Sequence, residues 1–145
     1  MSAMSLDLEA LETSFDVVAP RGAGLVQVFF TRLFAAAPAV EELFAGTDLP
    51  RQRVMLLRTL VLLRKALHDL DAIVPALRAL GARHVAYGAR PEHYPVVADV
   101  LIAAMAEVAG AAWEPRYERA WSAALAVVSG AMLEGAKTAK EDAAA

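Results

Sequence analysis

Apolar side chains recur along this chain at steps of three and four residues, the spacing that places them on one face of a helix. In the first such segment they are Leu8, Leu11, Phe15 and Val18. No segment alternates apolar and polar residues beside a hairpin turn, so no strand is predicted. The pattern predicts an all-α protein with longer helices over 5–19, 20–36, 50–67, 71–85, 91–109 and 114–137, and a short helical turn at 38–44.

Capping and helix-breaking residues mark the ends of these segments. Pro20 closes the first helix and Gly110 the fifth, because neither residue continues a helix without cost. Ser5 is predicted to open the first helix. Thr47 or Asp48 is predicted to cap the third helix through its side-chain oxygen.

The third helix presents two different faces. Its outward edge is basic, because Arg51, Arg58 and Lys65 follow one another at steps of seven. Gln52 and Arg53 lie on the two flanks of an apolar stripe opposite that edge. The stripe consists of Leu56, Leu60, Leu63 and Leu67.

The chain has 145 residues, of which 58% are hydrophobic and 21% are charged. These values predict one folded domain rather than a disordered chain. We place that domain at 1–137 and expect the small, polar tail at 138–145 to fray. The formal net charge of −3 gives no electrostatic footprint for nucleic acid. The chain has no cysteine, which excludes a disulfide scaffold, an iron–sulfur cluster and a thiolate zinc site.

The mean hydropathy of +0.43 is high for a globular chain. Charged residues interrupt the longest apolar runs, so we expect no membrane-spanning segment. The first residues show no basic stretch followed by an apolar run, so we expect no signal peptide and a cytoplasmic location. The excess of apolar residues therefore indicates a large interior that could also enclose a ligand.

Any imidazole chemistry must use one of three histidines, His68, His84 or His93. His84 lies on the apolar face of its helix, four residues after Leu80 and seven after Leu77. A single histidine on such a face is most often a core residue with a satisfied hydrogen bond. An imidazole is also the common axial ligand of haem iron, and a haem pocket needs apolar walls. Spacing alone leaves both interpretations open.

Three stretches carry a resemblance to a known family. They are RHVAYGARPEHYPVV at 83–97, FFTRLF at 29–34, and the pair Ala120 and Trp121. Together they resemble the globins, and more narrowly the bacterial single-domain haemoglobins and the globin domain of flavohaemoglobins, over 5–137. The resemblance implies a globin fold of six to eight helices, packed three over three around haem b (iron protoporphyrin IX).

The resemblance assigns the proximal side of the haem residue by residue. His84 matches the proximal ligand of the iron. Leu80, one turn earlier, matches the apolar residue under the proximal face, and Tyr94 matches a tyrosine near the histidine. Phe44 matches the phenylalanine that stacks on the haem edge, and Val97 matches an apolar wall residue.

On the distal side, Gln52 matches the glutamine of this subfamily. The corner before it is shorter than usual, so Arg53 stays open as an alternative one register step away. Leu56, one turn further on, matches the distal apolar contact. Phe30 stands where the subfamily has a tyrosine, so a phenol that could donate to a bound gas is missing.

A second departure concerns the last helix. Ala136 stands where flavohaemoglobins have a glutamate that acts with the tyrosine and the proximal histidine. Glu134 lies two residues earlier, about 200° away around the helix, which makes it a poor substitute. We therefore expect the arrangement around His84 and Tyr94 to be incomplete, and we assign no catalytic residue.

The resemblance favours a haem b globin that reversibly binds O2, or CO or NO, at a pentacoordinate iron. One alternative is a haem enzyme of the nitric-oxide dioxygenase, peroxidase or nitrite-reductase type, re-reduced by a separate reductase. A third interpretation is a gas sensor with a globin fold. The expected partners are diatomic gases and, for the enzyme, that reductase. Neither nucleic acid nor a membrane is expected, and both a monomer and a homodimer remain open.

Overall fold

A computed structural model describes residues 6–144. It contains seven α-helices and, over the described residues, no strand, which confirms the all-α prediction. Three 3-10 turns connect them, at Ala19–Arg21, Leu70–Ile73 and Gly110–Ala112. The α-helices are α1 (Leu8–Val18), α2 (Gly22–Ala36), α3 (Pro38–Glu42), α4 (Leu49–Lys65), α5 (Val74–Ala86), α6 (His93–Ala109) and α7 (Pro115–Ala144).

The N-terminal caps distinguish between the predicted alternatives. The Asp48 carboxylate accepts a hydrogen bond from the backbone N–H of Arg51 at 3.3 Å and caps α4. The Thr47 hydroxyl instead donates to the Phe44 carbonyl at 2.8 Å, inside the preceding turn. Asp7 caps α1 by accepting from Ala10 N–H at 3.1 Å. The predicted start at Ser5 lies outside the described residues.

Three helices differ from their predicted bounds by three residues or more, and the first of them, α1, begins at Leu8 rather than at residue 5. α5 begins at Val74 rather than at residue 71, because Leu70–Ile73 forms a 3-10 turn that leads into it. α7 continues through Ala144, where the sequence predicted a frayed tail from residue 138. Alanine, lysine and glutamate dominate that tail, and all three have high helix propensity.

The main core lies where α1, α2, α6 and α7 meet. α2 packs along α6, and α1 packs along α7. Phe15, Leu25, Met105 and Trp121 are among its buried side chains. The Trp121 indole N–H donates to the Ser14 hydroxyl at 2.8 Å, and that hydroxyl donates to the Ala10 carbonyl at 2.6 Å. This chain of hydrogen bonds satisfies a buried polar group that would otherwise be costly.

Replacing Ser14 by alanine will lower the free energy of unfolding by about 1–3 kcal/mol, because the buried indole N–H loses its acceptor. Urea unfolding measures the loss. Thr13→Ala, at an exposed position of the same helix, is the control and should change stability little. Equal stability of the two variants would mean that the indole finds another acceptor.

α5 packs chiefly against α7, and two glycines make that contact possible. A Cβ atom on Gly81 of α5 would collide with the backbone carbonyl of Met132 on α7. A Cβ atom on Gly135 of α7 would collide with the backbone carbonyl of Arg78 on α5. The two backbones therefore cross in direct contact, each helix providing the glycine that admits the other. This crossing fixes the position of α5 against α7, and α5 carries His84.

One stretch, His93–Ala112, is long and apolar enough to cross a membrane by length and composition alone, although the sequence predicted no such segment. In the structure this stretch is α6 with its 3-10 extension. Leu101, Ile102 and Met105 of α6 are buried, and the helix packs against α2 and α7. Only 28% of its apolar window is buried, so its packing in the core accounts for part of its hydropathy.

Candidate functional site

His84 lies in the last turn of α5 with one ring nitrogen already committed. Its Nδ1–H donates to the Leu80 backbone carbonyl at 2.7 Å, which leaves Nε2 as the unprotonated nitrogen of the neutral ring. Nε2 makes no hydrogen bond with any described residue. Burial lowers the pKa of His84 below its ordinary value, an effect that the Leu80 hydrogen bond partly offsets and the Arg83 charge reinforces. The ring is therefore neutral at pH 7 and can act as a ligand through Nε2.

The region between α4 and α5, on the side of α5 away from α7, is called the cleft. α4 packs mainly on α2, α5 packs mainly on α7, and α4 and α5 share no extended contact with each other. Phe44, Leu56 and Val97 are half-buried and pack against the main core. Leu80 and His84 are half-buried on α5. The predicted apolar wall residues are thus all partly buried.

Phe30 is buried at the centre of a group of phenylalanine rings. Its ring centroid lies 5.0 Å from Phe29, 5.8 Å from Phe34 and 5.5 Å from Phe44. The contacts with Phe29 and Phe44 are edge-to-face, a favourable geometry for aromatic pairs. This packing holds the Phe30 and Phe44 rings against each other. Phenylalanine at position 30 provides no hydroxyl.

Helix geometry places Gln52 and Arg53 on opposite flanks of α4. Arg53 shares its flank with Leu57, whose side chain packs so closely on α2 that a Cβ atom on Gly22 would come within 2.9 Å of it. Arg64 on the same flank pairs with Asp16 of α1 at 3.1 Å. The Arg53 flank therefore faces α1 and α2. Gln52 is on the other flank, with Leu56 and with Leu63, which is buried in the main core.

Tyr94 and Ala136 line a common cavity of about 290 Å³ behind α5. The Tyr94 hydroxyl makes no hydrogen bond with any described residue, and burial raises the pKa of Tyr94. Glu134 is exposed on α7 and lies 3.7 Å from Arg78. Among the described residues no carboxylate hydrogen-bonds to His84 or to Tyr94, and Glu141 is the carboxylate that lines the cavity with Tyr94.

One neighbour of His84 was missed by the sequence reasoning. The Tyr87 ring packs edge-on against the His84 ring with centroids 5.5 Å apart, although Tyr87 is 57% exposed. Tyr87 follows His84 by three residues, and this helical spacing could have predicted the contact.

The other two histidines are engaged elsewhere. His93 Nδ1 accepts a hydrogen bond from Arg90 N–H at 3.0 Å, at the start of α6. His68, expected to be solvated, is exposed but lies 2.9 Å from the Glu12 carboxylate. Neither of these contacts involves His84 or the residues assigned to the cleft.

The Globin family profile matches residues 27–132 of this chain. The chain belongs to the globin family. This globin is 28% identical to the flavohaemoprotein of Bacillus subtilis over 128 residues, which are 87% of this chain and 32% of that protein. It is 27% identical to the flavohaemoprotein of Vibrio cholerae over 119 residues, covering 81% of this chain and 30% of that protein. The globin thus spans about a third of the length of these relatives.

Two solved structures share the fold. One is named as an engineered carbene transferase made from a candidate nitric oxide dioxygenase of Rhodothermus marinus. It aligns with a TM-score of 0.86 at 19% identity, and the alignment covers 100% of this chain and 99% of that one. A bacterial globin of Campylobacter jejuni aligns with a TM-score of 0.79 at 17% identity, over 92% of this chain and 96% of its own. At these identities the likeness concerns the fold, and it confirms the predicted globin architecture.

Membership of this family implies haem as the cofactor, and the residues of the cleft fit it. A haem needs one axial donor, apolar walls and a space that the helices do not fill. His84 offers Nε2 as the donor, since its Nδ1–H is held by the Leu80 carbonyl. Phe44, Leu56 and Val97 offer apolar walls, and α4 and α5 are not packed extensively against each other.

Proposed function

We propose that this globin holds haem b with His84 as its axial ligand and reversibly binds a diatomic gas. The observation that carries the proposal is the His84 ring, oriented by Leu80 with Nε2 left free beside an apolar cleft. His68 and His93 each hydrogen-bond to a neighbouring residue, so His84 would be the single imidazole to hold the iron, which would be pentacoordinate before gas binds. When bound, haem supplies an iron atom that takes up O2, CO or NO.

The other side chains around the cleft would form its walls, exclude water and donate a hydrogen bond to the bound gas. Leu80 and Val97 form the wall on the His84 side and exclude water. Phe30, Phe44 and Leu56 form the apolar wall on the opposite side, where they shield the bound gas. Gln52, on the same flank of α4 as Leu56, is the donor on that side through its amide. We place Tyr94 near the histidine as a packing residue rather than as a proton donor.

Nitric-oxide dioxygenase activity is the second candidate, because the curated relatives are flavohaemoproteins and one structural neighbour is named as made from a candidate nitric oxide dioxygenase. This activity would also need a reductase that supplies electrons to the iron. Two departures weigh against efficient turnover: Phe30 provides no hydroxyl on the distal side, and Ala136 provides no carboxylate near His84. We therefore rank gas binding first, in a cytoplasmic protein.

Absorption spectra of the purified protein test the proposal in three states: ferric, dithionite-reduced, and reduced then exposed to O2. A pentacoordinate reduced spectrum followed by a stable oxygenated spectrum is expected. Immediate return to the ferric form would rule out reversible O2 binding. Rapid consumption of NO by the oxygenated form, sustained by a reductant, would favour the dioxygenase. Absence of a Soret band after haem addition would overturn haem binding.

Introducing the missing hydroxyl with Phe30→Tyr will slow O2 dissociation by about ten- to a hundredfold. A hydrogen bond to a partner that carries charge contributes about 1.5–3 kcal/mol, and each 1.4 kcal/mol is about tenfold in rate. Flash photolysis with O2–CO replacement measures the dissociation rate. Phe34→Tyr, one turn further along α2 in the same group of rings, is the matched control and should leave it nearly unchanged. Equal slowing in both variants would show that disturbed packing, not a new donor, causes it.

A further inference from the structure

The cavity that Tyr94 and Ala136 share is not lined by His84 or by the apolar residues assigned to the cleft. It lies between the end of α5, the loop that follows, the first turn of α6 and the last third of α7. Its volume is about 290 Å³, at the small end of the range for sites that bind small organic molecules. Val85, next to His84 in the chain, forms part of its wall, so an occupant would contact the segment that carries the histidine.

The floor and the rim of this cavity differ in chemistry. Val85, Leu133 and Ala136 give it an apolar floor. The rim carries Lys137 and Lys140, and neither lysine forms an ion pair with any described residue. Glu141 is the single carboxylate among the lining residues, so the rim carries one net positive charge. An anionic group at the rim would meet two ammonium donors, and an apolar tail would cover the floor.

Tyr94 adds a directional donor. Its hydroxyl belongs to a half-buried side chain that lines the cavity, and no described residue accepts a hydrogen bond from it. A phenol with no protein partner is available to donate to a carboxylate oxygen. The donor, the two ammonium groups and the apolar floor thus face one small space.

We propose that this cavity binds a small monocarboxylate with a short apolar tail, its head between Lys137, Lys140 and the Tyr94 hydroxyl and its tail against Val85 and Leu133. The proposal does not depend on the proposed gas-binding function, because neither His84 nor the apolar residues assigned to the cleft line the cavity. Bound there, the carboxylate would tie the end of α7 to the loop that follows His84.

Hexanoate is the probe. It is titrated into the purified 145-residue protein, which is first loaded with haem if it takes up haem. Two-dimensional ¹H–¹⁵N NMR follows the titration. Shifts confined to 85–94 and 133–141, with a Kd of about 1 mM or below, are expected for a ligand of this size. The double variant Lys137→Ala/Lys140→Ala should bind at least tenfold more weakly, and Tyr94→Phe several-fold more weakly. Lys65→Ala, which removes an exposed cation on α4, should bind like the parent protein.

Two further measurements distinguish recognition of the carboxylate from nonspecific binding to an apolar cavity. Hexan-1-ol should bind at least tenfold more weakly than hexanoate, and Ala136→Leu, which fills the floor, should abolish the shifts. If Ala136→Leu fails to fold, the lysine variant decides, because both of its positions are exposed. Equal binding of the alcohol, unchanged binding by the lysine variant, or shifts confined to the cleft would each overturn the proposal. A failure of haem binding would leave this titration interpretable, since its readout is the amide shifts.

Discussion

Replacing His84 by glycine will abolish the pentacoordinate spectrum of the haem-loaded protein, and imidazole added to the solution will restore it. His84 is the imidazole with a free nitrogen beside the apolar cleft, because its Nδ1–H is held by the Leu80 carbonyl. Even groups that merely orient a ligand contribute 10–100-fold to metal affinity, so losing the ligand itself should cost about a hundredfold or more in haem affinity. Haem titration followed at the Soret band measures it.

The same substitution at the other histidines provides the controls. His93→Gly and His68→Gly should keep the parent spectrum, since those rings hydrogen-bond to Arg90 and Glu12. Glycine within α5 also costs about 1 kcal/mol of helix stability, so His84→Ala is measured beside it to separate folding from ligation. An unchanged spectrum in both His84 variants would show that another group binds the iron and would end the assignment.

Gly81→Ala and Gly135→Ala will each destabilise the protein by about 3 kcal/mol or more, because overpacked sites lose about 1–3 kcal/mol even where neighbouring side chains can move. Here the new methyl group would meet backbone, the carbonyl of Met132 or of Arg78, which cannot rotate away. α5 and α7 must separate to admit it. Gly81 lies one turn before His84, so the haem affinity of the folded fraction should fall as well.

Gly130→Ala is the matched control on α7, because nothing lies within 4 Å of the methyl group it would add. That variant should gain about 0.5–1 kcal/mol, the usual benefit of alanine over glycine inside a helix. Urea denaturation of the three variants measures the difference. The double variant Gly81→Ala/Gly135→Ala should lose less than the sum of the single losses, since both residues serve one crossing. A gain at all three positions would show that the helices do not cross in direct contact.

Much of the local structure was predictable, because it depends on neighbouring residues. The three- and four-residue spacing of apolar side chains located the helices, and Asp48 was one of two predicted caps of α4. His84 was singled out by its place on an apolar face, and the resemblance around it supplied the family, which the Globin profile confirms. The roles of the residues around the cleft remain proposals.

The bounds of α5 and α7 were less predictable. Residues 70–73 form a 3-10 turn whose tighter winding leaves no clear mark in the hydrophobic pattern. The tail after residue 137 has few apolar residues, so it was expected to fray, yet its helix-forming residues continue α7 to Ala144. In both segments the local pattern was too weak to fix the helix end.

The sequence by itself determined that this protein is helical, where most of its helices lie, and that one histidine on an apolar face stands in a globin-like segment. Those properties follow from periodicity and from residues adjacent along the chain. Only the tertiary structure decided that Gly81 meets the backbone of α7. It also decided that the flank of α4 with Leu57 and Arg64 faces α1 and α2. The cavity that Tyr94 shares with Lys137 likewise forms only in the tertiary structure. Such pairings depend on how distant surfaces fit together, and helical spacing carries no record of the partner.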